Sequence, residues 1–287
     1  MSRNNGLTDE IRECLSVAIG DGKKLMVVSD FDETLTNRYV FEKKHGNHRP
    51  VVSSELVGLI QVLNRQLVSP VLVCSGRGSD DPFIDRLSRI SSDFLVLENG
   101  GVLLRSDLVE VLASDEELKK IEMIKIELRS NLDRLKKSFK KRGFVLLPRI
   151  TRSTDIEFRL QPVGSKNVVE IDGEYVKLMK MVDDMIDLES NGVGWVVSGS
   201  AVSLRVERLS KWLAVDRVLS VQGIVRDNVF IVAFGDNWND IDMFEGADMA
   251  INVGREKLID SEYYLGGGYE SVMGVLELIN SLGRQNI

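Results

Sequence analysis

The sequence holds little of what several common chemistries require. Its 287 residues include only two cysteines, Cys14 and Cys74, and two histidines, His45 and His48. Two thiols cannot build a disulfide framework or a four-thiolate zinc site. Two imidazoles leave little raw material for His-rich metal sites or for most Ser-His-Asp arrangements. No apolar run approaches the roughly eighteen residues of a membrane-spanning helix, and residues 1–6 carry no apolar stretch of the signal-peptide kind. Positive charge is not in excess either. The 37 basic and 44 acidic side chains give a formal charge of −7, without the basic stripe of a nucleic-acid or membrane-surface binder. These absences lead to the expectation of a soluble, cytoplasmic protein with no nucleic-acid or membrane partner, whose chemistry rests on carboxylates.

What is present is a recurring pattern. Leu25-Met26-Val27-Val28 is a continuous apolar run ending in Ser29-Asp30. Val71 to Cys74 ends at Ser75-Gly76, Phe94 to Leu97 at Glu98-Asn99-Gly100, and Val229 to Phe234 at Gly235-Asp236. Such runs suit strands buried on both faces of a parallel sheet. Between the first two lies a helical stretch, Ser53 to Val68, with Leu56, Leu59, Ile60, Leu63 and Leu67 on one face. Residues 8–19 read as a short amphipathic helix capped by Thr8. Alternating strands and helices imply a doubly wound α/β fold, in which ligands bind beyond the carboxyl ends of the strands. Each apolar run here ends in small or acidic polar residues.

The middle third differs. Residues 114–142 form a charged helix with an acidic first turn and basic last turns. Asp155-Ile156-Glu157-Phe158-Arg159-Leu160 alternates like a half-exposed strand. Asn167 to Ile171 reads as another strand, with Asp172-Gly173 as its turn, before helical spacing returns at Tyr175. This predicts a small α+β domain over residues 105–203, inserted in a core made of 1–104 and 204–287.

The first strand leads into Asp30-Phe31-Asp32-Glu33-Thr34. Two carboxylates two residues apart at a strand end suit phosphoryl transfer. One can attack phosphorus; the other can protonate the leaving oxygen and then deprotonate water. Crowded negative charge with oxygen donors favours Mg²⁺. Partners follow at other strand ends. Ser75-Gly76-Arg77-Gly78 offers a hydroxyl and backbone N–H groups for phosphate oxygens. Gly235-Asp236-Asn237-Trp238-Asn239-Asp240 adds two carboxylates, and Lys211 supplies a cation at the start of a helix.

Together these residues resemble the haloacid dehalogenase superfamily of phosphatases. Asp30 to Thr36 looks like its first motif, Ser75 its second, Lys211 its third and Gly235 to Asp240 its fourth. Glu98-Asn99-Gly100-Gly101 resembles the Cof-type branch, whose cap is inserted between the second and third motifs. Ser75-Gly76-Arg77 is similar to trehalose-, sucrose- and mannosylglycerate-phosphate phosphatases. The resemblance implies a Rossmann-like core with an inserted cap, and a phosphatase acting on a small phosphorylated sugar through an aspartyl-phosphate. It implies Asp30 as nucleophile and Asp32 as general acid/base. Asp30, the Asp32 carbonyl, Asp236 and Asp240 would hold Mg²⁺, with Asp240 acting directly or through water. Thr34, Ser75, Gly76, Lys211 and Asn239 would surround the phosphoryl group. A phosphosugar mutase uses the same aspartate pair and stays open, as does a non-catalytic phosphate-binding or signalling protein. Glu33 and Asn237 stand where many members have Gly, and Trp238 is expected to pack on the core.

Overall fold

The computed structural model describes the chain apart from residues 1–2, 37, 43–46, 68, 82, 85–89, 91–92, 106–107, 165–167, 199–200, 261–262 and 286–287. Helix α1 (Arg3–Gly20) precedes β1 (Lys24–Ser29), the antiparallel pair β2 (Arg38–Glu42) and β3 (Asn47–Val51), and α2 (Ser54–Leu63). Strands β4 (Leu72–Cys74), β5 (Leu95–Leu97), β6 (Val102–Arg105) and β7 (Leu108–Val111) follow. Then come α3 (Asp115–Lys141), β8 (Phe144–Arg149), β9 (Asp155–Pro162), α4 (Val168–Asp183), β10 (Val193–Ser198) and β11 (Ala201–Val206). The chain closes with α5 (Lys211–Gln222), β12 (Val229–Gly235), α6 (Ile241–Gly246), β13 (Met249–Asn252), β14 (Tyr263–Tyr264) and α7 (Tyr269–Gln285). Two compact units result: Met1–Glu110 with Ser210–Ile287, and Val111–Leu209.

Among the described residues, the first unit's sheet has the order β14-β13-β12-β1-β4-β5-β6-β7. Its strands run parallel from β14 to β5, and β6 pairs antiparallel with β5. The apolar runs become central strands because side chains alternate between two faces that are both covered. Val27, Val73 and Val232 meet Ile11 of α1, Leu56 and Ile60 of α2, and Val272 of α7. Their buried neighbours Met26, Val28, Ile231 and Ala233 alternate to the opposite face, where α5 and α6 pack. The expected doubly wound arrangement is present.

Two helices differ from the sequence reading, one at its start and one at its end. Helix α1 begins at Arg3, so Thr8 lies inside it, and Ile11, Leu15 and Ala18 form its buried face. Helix α2 does start as expected, with the Ser53 hydroxyl accepting from the Leu56 amide at 3.1 Å. It ends at Leu63, however, and Leu67 reaches the core from the turn beyond. Burying Leu56, Ile60 and Leu63 contributes about 1.5–3 kcal/mol each.

The second unit is an antiparallel sheet, β10-β11-β9-β8, with α3 packed on β8 and β11, and α4 on β9. Ser114 and Glu117 form a reciprocal capping box at the start of α3. Two expectations fail here. Residues 168–171 open helix α4 rather than forming a strand, and Asp172-Gly173 is not a turn. Tyr175, Leu178 and Val182 are buried, so the helical face set by the later residues carries the β-branched start with it. In strand β9, Asp155–Phe158 and Leu160 are buried, where the alternating pattern predicts every second residue exposed. Its acids Asp155 and Glu157 are taken up by the fully buried Arg152, at 3.1 and 2.9 Å. Charge pairing hides positions that an alternating pattern assigns to solvent.

Candidate active site

Strand register brings the separate motifs together. Ser29 pairs with Phe234 of β12 on one side and with Val73 of β4 on the other. The carboxyl ends of these three strands are therefore level, and Asp30, Asp236 and Ser75 leave them side by side. The Asp30 amide still donates to the Phe234 carbonyl at 2.8 Å, and the Ser75 amide to the Val96 carbonyl at 2.8 Å.

Lys211 is the hub. It is the first residue of α5, capped by Ser210, whose hydroxyl accepts from the Leu213 amide at 3.0 Å. A cation at a helix N-terminus opposes the helix dipole by a few tenths of a kcal/mol or more. Two carboxylates offset this: the Lys211 ammonium, fully buried, donates to Asp30 Oδ1 at 2.6 Å and to Asp240 Oδ1 at 2.5 Å. The turn Glu98-Asn99-Gly100 seats the helix start. Gly100 has φ +99°, and a Cβ there would lie 1.9 Å from the Ser210 carbonyl oxygen. Only glycine fits both constraints.

Asp240 is tied on its other side as well. Its Oδ2 accepts from the amides of Asp236 at 3.0 Å and Asn237 at 3.1 Å. Thr34 donates its hydroxyl to Asp236 Oδ1 at 3.0 Å, so its proton goes to a carboxylate and it joins the first loop to the fourth. Asn239 donates to Asn99 Oδ1 at 3.1 Å, and Ser75 Oγ accepts from the Arg77 amide at 3.2 Å. Gly76 lies against Asn99, where an added Cβ would meet Oδ1 at 2.9 Å. Asp32 stands apart from the acidic cluster, with both oxygens on the Arg77 guanidinium.

The cluster carries uncompensated negative charge. Oxygens of Asp30, Asp236 and Asp240 lie within 4.8 Å of one another, and among the described residues Lys211 is the cation bonded to two of them, Asp30 and Asp240. Burial pushes the Asp30 carboxyl well above its ordinary range; Lys211 pulls it back, while Asp240 and Asp236 push it further. Burial first and Asp240 second raise Asp236 to about 7. Burial disfavours the Lys211 cation, but Asp240 and Asp30 outweigh that and hold its pKa above the usual amine value. Three hard oxygen donors short of positive charge fit a divalent cation of the Mg²⁺ type.

Four residues stand differently in the structure than in the sequence reading, or are given no role there. Trp238 is 53% exposed and does not pack on the core, because its short turn buries Asn239 and Asp240 instead. Glu33 has φ +62°, a left-handed conformation that explains why glycine suits this position. Arg77 and Asn99 bind residues of other motifs, whereas the sequence reading gives their motifs a resemblance to sugar-phosphate phosphatases and the Cof-type branch and assigns neither side chain a role. The signal was a single guanidinium at a sheet end where the other motif side chains are mostly acidic.

Residues 151–257 match the family model of haloacid dehalogenase-like hydrolases. No curated protein sequence matches the chain. Solved structures share its fold. The C-terminal domain of C. albicans trehalose-6-phosphate phosphatase superposes with a TM-score of 0.70 at 16% identity, covering 94% of this chain and 96% of that one. The C-terminal domain of the Candida albicans trehalose synthase regulatory protein gives 0.61 at 15% identity, over 92% and 97%. Aspergillus fumigatus trehalose-6-phosphate phosphatase gives 0.55 at 17% identity, over 94% and 97%. The four motifs gather at one end of a doubly wound sheet, and the chain is similar to haloacid dehalogenase-like hydrolases over residues 151–257 and shares the fold of these solved structures.

Proposed function

We propose that the protein is a Mg²⁺-dependent phosphomonoesterase that hydrolyses a small phosphorylated sugar through an aspartyl-phosphate. The observation carrying this is the buried group Asp30–Lys211–Asp240 beside Asp236, with Asp32 two residues beyond Asp30. Asp30 Oδ2 attacks phosphorus; the new O–P bond forms as the ester O–P bond breaks, and Asp32 gives a proton to the leaving alkoxide. Asp32 then takes a proton from water, whose oxygen attacks the phosphoryl group and frees phosphate and the Asp30 carboxylate. Lys211 holds Asp30 Oδ1 and neutralises charge, while Ser75 Oγ, the Gly76 amide and the Asn239 amide face the phosphoryl oxygens. Thr34 and Asp240 hold Asp236 in place. The Asp30 and Asp236 carboxylates and the Asp32 carbonyl would bind the cation, with Asp240 adding charge from behind. When bound, Mg²⁺ supplies a positive charge that screens the carboxylates and the transferring phosphoryl group. The fold shared with trehalose-6-phosphate phosphatases supports a sugar phosphate as substrate.

The test is phosphate release from trehalose-, sucrose-, mannosylglycerate- and hexose-phosphates, with and without Mg²⁺, beside Asp30→Asn. Metal-dependent release lost in the variant supports the reading. Isomerisation of a hexose phosphate primed by a bisphosphate, without hydrolysis, replaces it with a mutase. Silence in both assays sinks it.

A further inference from the structure

We propose that Arg77 is the positioning residue for Asp32, fixing the carboxyl that exchanges the proton in both half-reactions. The inference rests on the reading of the site as a phosphatase and adds to it a residue that the reaction scheme does not use.

The contact is a fork on a fork. Arg77 Nε donates to Asp32 Oδ2 at 2.8 Å, and Nη2 to Oδ1 at 2.7 Å. Two parallel charge-assisted bonds set the plane of the carboxyl as well as its position. Asp32 needs such a hold. It lies in the loop beyond β1, and its side chain is 35% exposed. Arg77, at 14%, is itself held from three sides. Its Nη1 donates to Asp81 Oδ2 at 3.0 Å, and Asp81 Oδ1 in turn accepts from the Phe83 amide at 3.0 Å. The rings of Phe31 and Phe83 lie 5.7 and 5.5 Å from the guanidinium carbon. The Arg77 amide donates to Ser75 Oγ and its carbonyl accepts from the Glu98 amide at 2.9 Å. Residue 77 therefore connects the loop bearing Ser75 with the loop bearing the acid/base. A direct role on the phosphoryl group fits less well, because Nε, Nη1 and Nη2 all donate to carboxylates. Lysine cannot reproduce the fork, since its ammonium is a point charge.

A sugar alkoxide leaves only with a proton, whereas nitrophenolate leaves without one, and this separates positioning from other roles. The experiment compares wild type, Arg77→Met, Arg77→Lys, Asp81→Asn and Asp32→Asn on the best sugar phosphate and on p-nitrophenyl phosphate. Each protein's fold is checked by circular dichroism, and orthovanadate inhibition reports the phosphate site. If Arg77 positions Asp32, Arg77→Met loses on the order of 10²–10³-fold in kcat on the sugar phosphate. It keeps a first-turnover burst of nitrophenolate and binds vanadate within about threefold of wild type, the pattern of Asp32→Asn. Arg77→Lys and Asp81→Asn follow the same pattern with smaller losses. Equal loss of burst and turnover, or vanadate binding weakened more than about tenfold, makes Arg77 a phosphate ligand and overturns the proposal. Unchanged sugar-phosphate turnover in a folded Arg77→Met overturns it too, as does loss of fold in Arg77→Met and Arg77→Lys alike. A wild type that turns over neither ester overturns the phosphatase reading itself, and the role of Arg77 with it.

Discussion

Each of the two units buries a cluster of charge, and the clusters are built to opposite rules. In the second unit, Arg152 is fully buried between Asp155 and Glu157, and Glu157 also meets Arg149 and Arg159 at 3.6 and 2.8 Å. Lys125, almost fully buried, donates to the Arg152 carbonyl at 2.7 Å. Acid and base are matched, and cations are not short. In the first unit, Asp30 and Asp240 share one lysine, with the Asp236 carboxylate beside them. A balanced cluster completes itself within the fold; an acid-rich one is stable only when something positive joins it. The imbalance, more than burial or the count of charges, marks the site.

This comparison can be broken. Replacing a charge in the acid-rich cluster should damage activity and spare stability, and the reverse should hold in the balanced one. Asp30→Asn is expected to lower kcat by on the order of 10⁴-fold or more, while its metal-free melting temperature stays level or rises because surplus negative charge is removed. Arg152→Met leaves two acids buried without their cation and should cost about 3–5 kcal/mol in denaturant unfolding. If Asp30→Asn unfolds the protein while Arg152→Met is tolerated, the two clusters have been assigned the wrong way round.

A smaller effect comes from pH. The folded pKa of Asp236 is about 7 against an ordinary 3.8, and that of Asp30 is raised in the same direction. Between those values the metal-free folded chain holds protons that the unfolded chain has released. Its stability therefore falls as pH rises through that window. Mg²⁺ competes with those protons, so it should raise the melting temperature more at pH 8 than at pH 5. An equal or reversed increment would show that the carboxylates do not meet the cation. The smallest expected change is Glu33→Gly. Relieving a left-handed glutamate recovers about 1–2 kcal/mol, less the roughly 0.5–1 kcal/mol of freedom glycine loses on folding, which chemical denaturation can resolve as a net gain of up to about 1.5 kcal/mol.

The parallel sheet could be read from the chain because doubly buried strands need unbroken apolar runs. The candidate residues were legible because those runs stop where the chemistry begins, as at Asp30, Ser75 and Asp236. What escaped depends on contacts across the sequence. Val168 to Ile171 carries strand-favouring residues, but the buried face led by Tyr175 and Leu178 makes it helical. Asp155 and Glu157 look like solvent positions until Arg152 is placed between them. The bond from Arg77 to Asp32 spans 45 residues, and nothing local to either one announces it.

The first unit is also split along the chain, with the second lying between its two parts. Asp30 and Lys211 touch across 181 positions, and β1 is completed on one edge by β12. During synthesis the loop bearing Asp30 therefore emerges long before its lysine, by on the order of 10 to 40 s at typical translation rates. Until then β1 lacks its β12 neighbour, and three apolar strands of the nascent chain wait with an open edge. The inserted unit is complete in sequence before that edge closes and has the opportunity to fold first. Closure of the long loop is then the late event. The first unit is assembled by the chain's last third, which makes that interval the time at which a chaperone or an edge-pairing error would act on this protein.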